Sequence, residues 1–375
     1  MKRYNMGEYD FIEIFPPGEL LKQELAERKW SQVEFAEIIG KDTKFVNEII
    51  NGKRSITPET AIIFSTAFNS NPELWMKLES QYQLSKVNIK TDNISRKAKL
   101  YEKFPVRELI KRGWIKASKE IDNLEKECLK FFNISSLEEN PTFSHSAKKT
   151  NDQETTSVQL SWLFRAKEIA KTILVKKYSE DTLRNSLDIL HTFMLAPEEA
   201  RHVPKLLSEC GVCLVFVEPL PGSKIDGACF WLANNKPVIA MSLRHDRIDN
   251  FWFVLRHEIE HVLCGHGKDF YCIDQDIDGE TLDIPEHEEI ANLAASNFCV
   301  DIKQLNDFIA RVSPFFSEKK VCSFSNRIGV HPGIVIGQLQ RRLKKYDFLK
   351  KHQVKIRSIV LSSSHFDGWG MEYPI

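Results

Sequence analysis

The stretch Phe251-Trp-Phe-Val-Leu-Arg-His257-Glu258-Ile-Glu-His261-Val-Leu-Cys-Gly-His266-Gly267 is the most informative part of this sequence. It is an apolar run that predicts a buried helix, and it contains the pattern His-Glu-x-x-His. Residues four apart lie on one face of an α-helix, so His257 and His261 can present two imidazoles to one metal ion. Glu258 lies beside them, where its carboxylate can take a proton from a metal-bound water. The pattern is typical of a metalloprotease.

Three runs of β-forming residues precede this helix: Val212–Val217, Gly227–Leu232 and Pro237–Ser242. Ala233-Asn-Asn-Lys236 suits a hairpin turn between the second and third runs. The sequence therefore predicts a small sheet beside the helix, and the edge strand of such a sheet can hold an extended peptide by strand addition.

A catalytic zinc site needs three protein ligands and an open position for water, so a further ligand must lie outside the two histidines. The acidic segment Asp269–Asp283 predicts a solvated loop. Pro285 suits the first turn of the next helix, which carries Glu288 and Glu289. A second helix that offers a carboxylate to the first has the geometry that such a site requires.

The N-terminal part predicts two short helices joined by a turn. Ser31 and Glu34 form a capping box for the first helix, and Gly40 supplies the turn. Asp42 or Thr43 can cap the second helix, which Asn51-Gly52 ends. This is the pattern of a helix-turn-helix unit, whose second helix lies in the major groove of DNA.

Five polar positions on or just after this second helix are candidates for DNA contact. Asn47 can pair with an adenine, while Thr43 and Lys44 can touch phosphates or base edges. Lys53 and Arg54 suit the DNA backbone. Because positive and negative side chains balance between residues 17 and 56, a helical bundle with a solvated face is the alternative interpretation.

The composition bounds both interpretations. A chain of 375 residues predicts two or three domains, and 52 basic residues against 52 acidic ones give no overall field that would attract nucleic acid. No apolar run predicts a membrane span or a signal peptide, and eight scattered cysteines suit a reducing compartment, so we expect a cytoplasmic protein. Cys210-Gly-Val-Cys213 has no second pair to complete a metal site and is interpreted as core packing.

The region from Ser31 to Leu84 resembles the HigA antitoxin branch of the phage-repressor-like helix-turn-helix family. The matching residues are Ser31-Gln-x-Glu-x-Ala36, Val46-x-Glu-Ile-Ile-Asn-Gly-Lys-Arg-Ser-Ile-Thr-Pro58-Glu-Thr-Ala61 and Asn71-Pro-Glu-Leu-Trp75-x-x-Leu78-x-x-x-Tyr82-x-Leu84. The resemblance implies a homodimer that binds double-stranded operator DNA and, in many members, neutralises a toxin.

Residues from about Gly211 to Gln340 resemble the ImmA/IrrE family of zinc-dependent peptidases. The matching residues are Lys224-Ile-Asp-Gly-Ala-x-Phe-Trp-Leu232, Pro237-Val-Ile-Ala240, Asp246-Arg-Ile-Asp-Asn-Phe-Trp-Phe253, His257-Glu-x-x-His261, Glu288-x-x-Ala291-Asn292 and His331-Pro-Gly-Ile-Val-Ile-Gly-Gln-Leu-Gln340. The resemblance implies a Zn2+ ion held by His257, His261 and Glu288, with Glu289 as the fallback ligand and Glu258 as the general base.

Two departures from that family pattern bear on catalysis. Glu260 stands between the two histidines where an uncharged residue is usual, and it can either pair with Arg256 or face the metal. The helix after Ala291-Asn292 lacks the usual Phe-Ala and terminal proline. Tyr271, His266 and His331 are candidates for stabilising an oxyanion.

We therefore predict a mostly α protein with a small β-sheet (α+β), in which an all-α helix-turn-helix bundle precedes a zincin-like α+β peptidase domain. The predicted boundaries are 1–85 for the DNA-binding domain, 86–195 for a helical connecting region, 196–345 for the peptidase domain and 346–375 for a C-terminal extension. The predicted function is a DNA-binding transcriptional regulator, similar to antitoxins, with a zinc endopeptidase domain that acts on a toxin or repressor protein. The alternative is a non-enzymatic antitoxin or autorepressor whose peptidase-like domain senses a ligand or binds a partner.

Overall fold

The computed structural model describes residues 16–87, 91–143, 155–233, 235–268, 271–275 and 285–370. The chain divides into two units, Met1–Ile94 and Ser95–Ile375. Within the described ranges, no helix combines the length and the apolar character that crossing a lipid bilayer requires.

The described part of the first unit is built from short helices with clear end signals. They are α1 (Pro17–Arg28), α2 (Gln32–Ile38), α3 (Thr43–Ile50), α4 (Pro58–Phe68) and α5 (Pro72–Lys86). The predicted capping box at α2 is confirmed, because Ser31 Oγ accepts from Glu34 N–H and Glu34 Oε2 accepts from Ser31 N–H at 2.7 Å. Of the two predicted caps of α3, Asp42 is the one used, and its carboxylate accepts from Phe45 N–H at 2.6 Å.

Aromatic rings form the centre of the first unit. Phe35, Phe64, Phe68 and Trp75 are buried, and the rings of Phe35 and Phe68 stack with centroids 4.8 Å apart. Gly18 lets α1 lie against the end of α3, since a Cβ there would come within 2.4 Å of the Ile50 carbonyl oxygen. The core therefore fixes α3 relative to α1, while the face of α3 that points away from the core stays exposed.

Helices precede the sheet in the chain, and they pack on both of its faces. The helices before the sheet are α6 (Asp92–Lys103), α7 (Val106–Lys111), α8 (Ile121–Phe132), α9 (Ser157–Thr172), α10 (Glu180–Phe193) and α11 (Val203–Glu209). A 3-10 helix over Pro197–His202 precedes α11.

The sheet has five strands among the described residues. They are β1 (Cys213–Val217), β2 (Ile225–Leu232), β3 (Lys236–Met241), β4 (Cys272–Gln275) and β5 (His365–Asp367), and their order is β4-β2-β3-β1-β5. β1 is parallel to β3 and β5, whereas β2 is antiparallel to β3 and β4. The three predicted strands are confirmed, and the prediction of a solvated loop over Asp269–Asp283 is wrong at β4.

The sheet is buried on both faces. Leu214, Phe216 and Ile239 point into one hydrophobic cluster, while Val215 and Val238 point into the other. The second cluster includes residues of α6 to α9, so the helices that were predicted to connect two domains pack directly on the strands. Cys210 and Cys213 are buried free thiols, which confirms their interpretation as core residues.

The remaining helices complete the other face. They are α12 (Ile248–Leu263), α13 (Glu286–Cys299), α14 (Ile302–Val312), α15 (Glu318–Ile328), α16 (Pro332–Leu343) and α17 (Arg357–Leu361). α12 is buried along nearly its whole length, and Ile356, Val360 and Leu361 join its hydrophobic cluster. The α+β prediction is confirmed, and residues beyond the predicted boundary at 345 contribute to the core. The predicted internal boundaries themselves stay a prediction.

Candidate metal centre and helix-turn-helix surface

Helix α12 holds the two predicted histidines in the interior of the second unit. His257 and His261 are both buried, and their Nε2 atoms are 3.0 Å apart. The separation follows from the helical repeat, since one turn brings residues four apart onto the same face. The apolar residues on either side of the motif bury the helix, so the imidazoles face a region from which bulk water is largely excluded.

Two carboxylates from other elements converge on this pair. Asp274 of β4 places Oδ2 at 3.1 Å from His257 Nε2 and 3.9 Å from His261 Nε2. Glu288 of α13 places Oε2 at 3.2 Å and 3.6 Å from the same two nitrogens. Glu289, the fallback ligand, is exposed on α13 and lies outside this cluster. Four ligand atoms from three elements therefore share one small volume.

The contacts of His257 show that a cation suits this volume. A ring nitrogen carries either one proton or one lone pair, so Nε2 can satisfy only one of its three close neighbours. Asp274 Oδ2 is buried and makes no hydrogen bond among the described residues. A positive ion at the centre would satisfy all four atoms at once, since imidazole nitrogens and carboxylate oxygens are standard zinc ligands.

The spacing of the four atoms also fits zinc. Ligands placed tetrahedrally at zinc distances of about 2.0–2.2 Å from an ion are about 3.3–3.6 Å apart. The five separations given above lie between 3.0 and 3.9 Å, and all four atoms are within 4.8 Å of one another. The residues present therefore fit a tetrahedrally bound zinc ion.

Charges in the cluster are strongly coupled. Burial disfavours the charged imidazolium of His257, but Asp274 and Glu288 outweigh this effect and raise the pKa of His257 to about 10. Burial likewise opposes the ionised form of Asp274, but His257 and His261 hold its pKa well below the usual range. The two carboxylates thus create a negative potential that a bound cation would neutralise.

Glu258 lies beside the cluster in an enclosed position. Its side chain is completely buried, and neither carboxyl oxygen has a hydrogen-bond partner among the described residues. Burial and the nearby charge of Asp274 raise its pKa well above the usual range. Gly227 on β2 makes room for it, because a Cβ there would lie 2.0 Å from Glu258 Oε1.

Two more histidines contact the ligands, and the sequence analysis did not identify one of them. His266 Nδ1 lies 2.9 Å from His261 Nδ1, and His287 Nε2 lies 3.2 Å from Glu288 Oε1. Contacts of this kind orient metal ligands. His287 precedes a ligand on α13, and that adjacency is the only sequence signal for it.

The other predicted site residues have different partners. Tyr271 OH is 3.0 Å from Thr155 Oγ1, and its ring packs edge-on against Phe143. His331 Nδ1 accepts a hydrogen bond from Gly333 N–H at the start of α16. The structure therefore engages both side chains in local contacts away from the four ligand atoms.

Glu260, the departure inside the motif, pairs with a neighbour on its own helix. Its Oε2 lies 2.7 Å from an Nη2 atom of Arg256, one turn earlier. The structure thus gives Glu260 the first of its two predicted arrangements. It is not among the residues whose ligand atoms converge.

Asp274 is the main residue that the sequence analysis missed. It lies within the acidic segment and was interpreted as part of a solvated loop. The run Tyr271-Cys272-Ile273 before it is rich in β-forming residues, and that run was the available sign of a strand. The other acidic residues between 276 and 283 lie outside the described residues.

On the first unit, helix α3 presents the predicted DNA-contacting side chains to solvent. Thr43, Lys44 and Asn47 on α3 are exposed, as are Lys53 and Arg54 after it. The structure adds polar partners that the sequence did not predict: Asn47 Nδ2 donates to Gln32 Oε1 at 3.3 Å, and Arg54 Nε donates to Glu48 Oε2 at 2.8 Å.

Comparison with known proteins concerns the helix-turn-helix part. A family model described as helix-turn-helix matches residues 21–75. The HTH-type transcriptional regulator YddM of Escherichia coli (strain K12) is 31% identical over 84 residues, which are 22% of this chain and 88% of that protein. Virulence-associated protein A' of Dichelobacter nodosus is 40% identical over 72 residues. These residues are 19% of this chain and 63% of that protein, so the chain spans less than two thirds of that relative.

Among solved structures, the antitoxin HigA of Pseudomonas aeruginosa with the higBA promoter is 31% identical. That similarity covers 20% of this chain and 82% of the other, with a TM-score of 0.19. The family model and the E. coli relative, which is covered over most of its length, show that this chain belongs to the helix-turn-helix family.

Proposed function

We propose that this protein is a DNA-binding transcriptional regulator, similar to antitoxins, whose second unit is a zinc-dependent endopeptidase that acts on a protein partner. The observation that carries the peptidase part is the convergence of His257, His261, Asp274 and Glu288 beside the buried carboxyl group of Glu258. The helix-turn-helix family membership supports the regulatory part.

In the first unit, α3 is the helix that would enter the major groove. Asn47 is exposed and has an amide that can pair with an adenine edge. Lys44 is 82% exposed and its Nζ lies 4.0 Å from Glu48 Oε1, in a partly exposed ion pair in which a phosphate could replace the carboxylate. We infer a homodimer on a two-fold operator, because helix-turn-helix proteins commonly read two half-sites about one DNA turn apart.

In the second unit, the His257, His261 and Glu288 side chains would hold the ion. A bound zinc ion lowers the pKa of water toward about 7 and polarises a carbonyl group. Glu258 would accept a proton from the attacking water on one carboxyl oxygen and return it to the leaving amine. Its complete burial beside the two histidines places the carboxyl group where it can make this exchange.

One observation favours a second candidate function. The Asp274 carboxylate lies where it would supply a fourth protein ligand, and a zinc site with four protein ligands is typical of structural centres. Under this alternative, the protein is a non-enzymatic antitoxin or autorepressor, and the centre stabilises a unit that senses a ligand or binds a partner such as a toxin.

Metal analysis of the purified full-length protein tests the centre. We expect about one zinc ion per chain, lost in His257→Ala and Glu288→Gln because each removes a ligand. Glu289→Gln is the matched control, since Glu289 is exposed on the same helix turn, and it should retain the metal. Wild-type protein without zinc at neutral pH would contradict the proposal.

A second experiment separates the two candidate functions. Proteins encoded by the flanking genes would be co-produced with the wild type and with Glu258→Gln, and their cleavage would be followed by mass spectrometry. For an enzyme, Glu258→Gln should keep its zinc and lose cleavage by about 100-fold or more. A zinc-containing protein that cleaves none of them and is indifferent to Glu258→Gln would support the sensor.

A further inference from the structure

An edge strand of the sheet was predicted to be able to hold an extended peptide, and in the structure β4 occupies the edge beside β2. The predicted strands β1 to β3 alone would leave β2 at the edge, next to helix α12. In the structure β4 pairs with β2 in the antiparallel direction, with Gly227 opposite Asp274 and Ala228 opposite Ile273. The protein's own chain therefore lies where an extended peptide would add to β2.

The register of this pairing sets the position of Asp274. Gly227 is the residue whose missing side chain makes room for Glu258, and Asp274 is its direct partner across the strands. Pairing therefore brings the Asp274 carboxylate to the face of β2 on which Glu258 and the two histidines lie. Its Oδ2 atom is 3.1 Å from His257 Nε2 and has no hydrogen bond among the described residues.

We propose that Asp274 is a fourth protein ligand that closes the metal centre, so that β4 holds the protein in a resting state without an open position for water. The inference rests on the proposed metal centre and adds its regulation. Opening the centre requires the bond between Asp274 Oδ2 and the ion to break and a water oxygen to replace it. No electron is transferred, and the carboxylate keeps its negative charge as it leaves.

Charge and location both suit a removable ligand. In the closed centre, a divalent ion with two neutral imidazoles and two carboxylates has a total charge of zero. Once Asp274 has left, the centre has a total charge of +1, which lowers the pKa of a bound water further. β4 is an edge strand of four residues, and among the described strands it pairs only with β2, so its release breaks one set of strand hydrogen bonds.

The test uses the full-length protein loaded with cobalt(II) in place of zinc, with acetohydroxamate as a probe for an open coordination position. At pH 7 we expect the visible spectrum of the wild type to be unchanged by acetohydroxamate and that of Asp274→Ala to shift. Asp274→Ala should also bind the metal at least about 10-fold more weakly in competition with a chelator, because a ligand is lost.

Two further variants keep the test decisive. Asp274→Asn preserves the shape of the side chain and should fold where alanine does not, with a weaker neutral ligand and the same direction of change. Glu289→Gln removes an exposed carboxylate from α13 and should behave as the wild type.

The outcomes separate the two proposals. A wild-type spectrum that shifts with acetohydroxamate as strongly as that of the Asp274 variants would overturn the closed centre while leaving the metal site intact. Variants that bind cobalt as tightly as the wild type, with the same spectrum, would overturn it as well. Wild-type protein that binds no cobalt or zinc would instead overturn the metal centre itself.

Discussion

The helix-turn-helix surface and the candidate metal centre are built in opposite ways. The surface comes from one continuous stretch near α2 and α3, and its polar side chains are exposed. The candidate metal centre draws its four ligand atoms from α12, β4 and α13, and several buried polar atoms there have no hydrogen-bond partner among the described residues. The difference teaches that local signals in a sequence specify the first kind of site, while the second depends on pairing between distant segments.

The largest expected effect is a loss of stability in the first unit that leaves the second unit intact. Phe64 is fully buried among the rings of the first unit, so Phe64→Ala should destabilise that unit by about 3–5 kcal/mol. Operator binding should be lost while zinc content is kept, as measured by gel shift and metal analysis. Phe315→Ala is the control, because Phe315 is 78% exposed. Loss of zinc together with DNA binding would show that the two sites are not independent.

The next effect concerns the enclosed carboxyl group of Glu258. Gly227→Ala would place a Cβ 2.0 Å from Glu258 Oε1, so we expect destabilisation by about 1–3 kcal/mol with zinc retained. Urea unfolding of Gly227→Ala, Glu258→Ala and the double variant measures whether this contact causes the loss of stability. Removing the carboxyl group should relieve most of the cost, whereas strictly additive effects would argue against this contact.

Substitutions on the exposed face of α3 should change the free energy of operator binding by a similar or smaller amount. Asn47→Ala should weaken operator binding by about 1–3 kcal/mol if the amide pairs with a base. Lys44→Ala should reduce the slope of the logarithm of the binding constant against the logarithm of the salt concentration by about one, because one phosphate contact is lost. Fluorescence anisotropy at several salt concentrations measures both. Lys22→Ala on α1 serves as the control. Equal binding by Asn47→Ala and the wild type would remove this residue from the predicted contacts.

The smallest expected effect tests the local signal that predicted α2. Ser31→Ala removes the side-chain acceptor of the capping box and should destabilise the first unit by about 1 kcal/mol. Ser31→Asp should restore most of this loss, since a carboxylate also accepts from the N–H of Glu34. Thermal unfolding of the first unit gives the comparison, and an alanine variant as stable as the aspartate variant would contradict the prediction.

The sequence predicted the parts of the fold that have local causes. The Ser31 capping box, the apolar run around His257 and the three runs of β-forming residues each carry their own signal, and all of these elements are present. Local signals also predicted a second helix carrying Glu288 and Glu289, while the family resemblance implied Glu288 as the ligand. The structure places Glu288 beside the histidines.

The sequence could not predict what depends on distant partners. β4 is four residues long and lies within an acidic segment, so composition outweighed its short β-forming run. The pairing of β4 with β2 brings Asp274 into the interior, beside the histidines of α12, and makes this carboxylate a ligand candidate. β5 was missed for the same reason, because three residues acquire their structure from β1.

The strand β5 has a consequence for how the protein is made on the ribosome. Asp367 of β5 accepts a hydrogen bond from Trp114 Nε1, across a separation of 253 residues. A nascent chain therefore cannot finish the second unit until residue 367 has emerged from the exit tunnel, whereas the helices of the first unit have local contacts and can fold much earlier. We expect the helix-turn-helix unit to be folded while the chain that will form the candidate metal centre is still being synthesised.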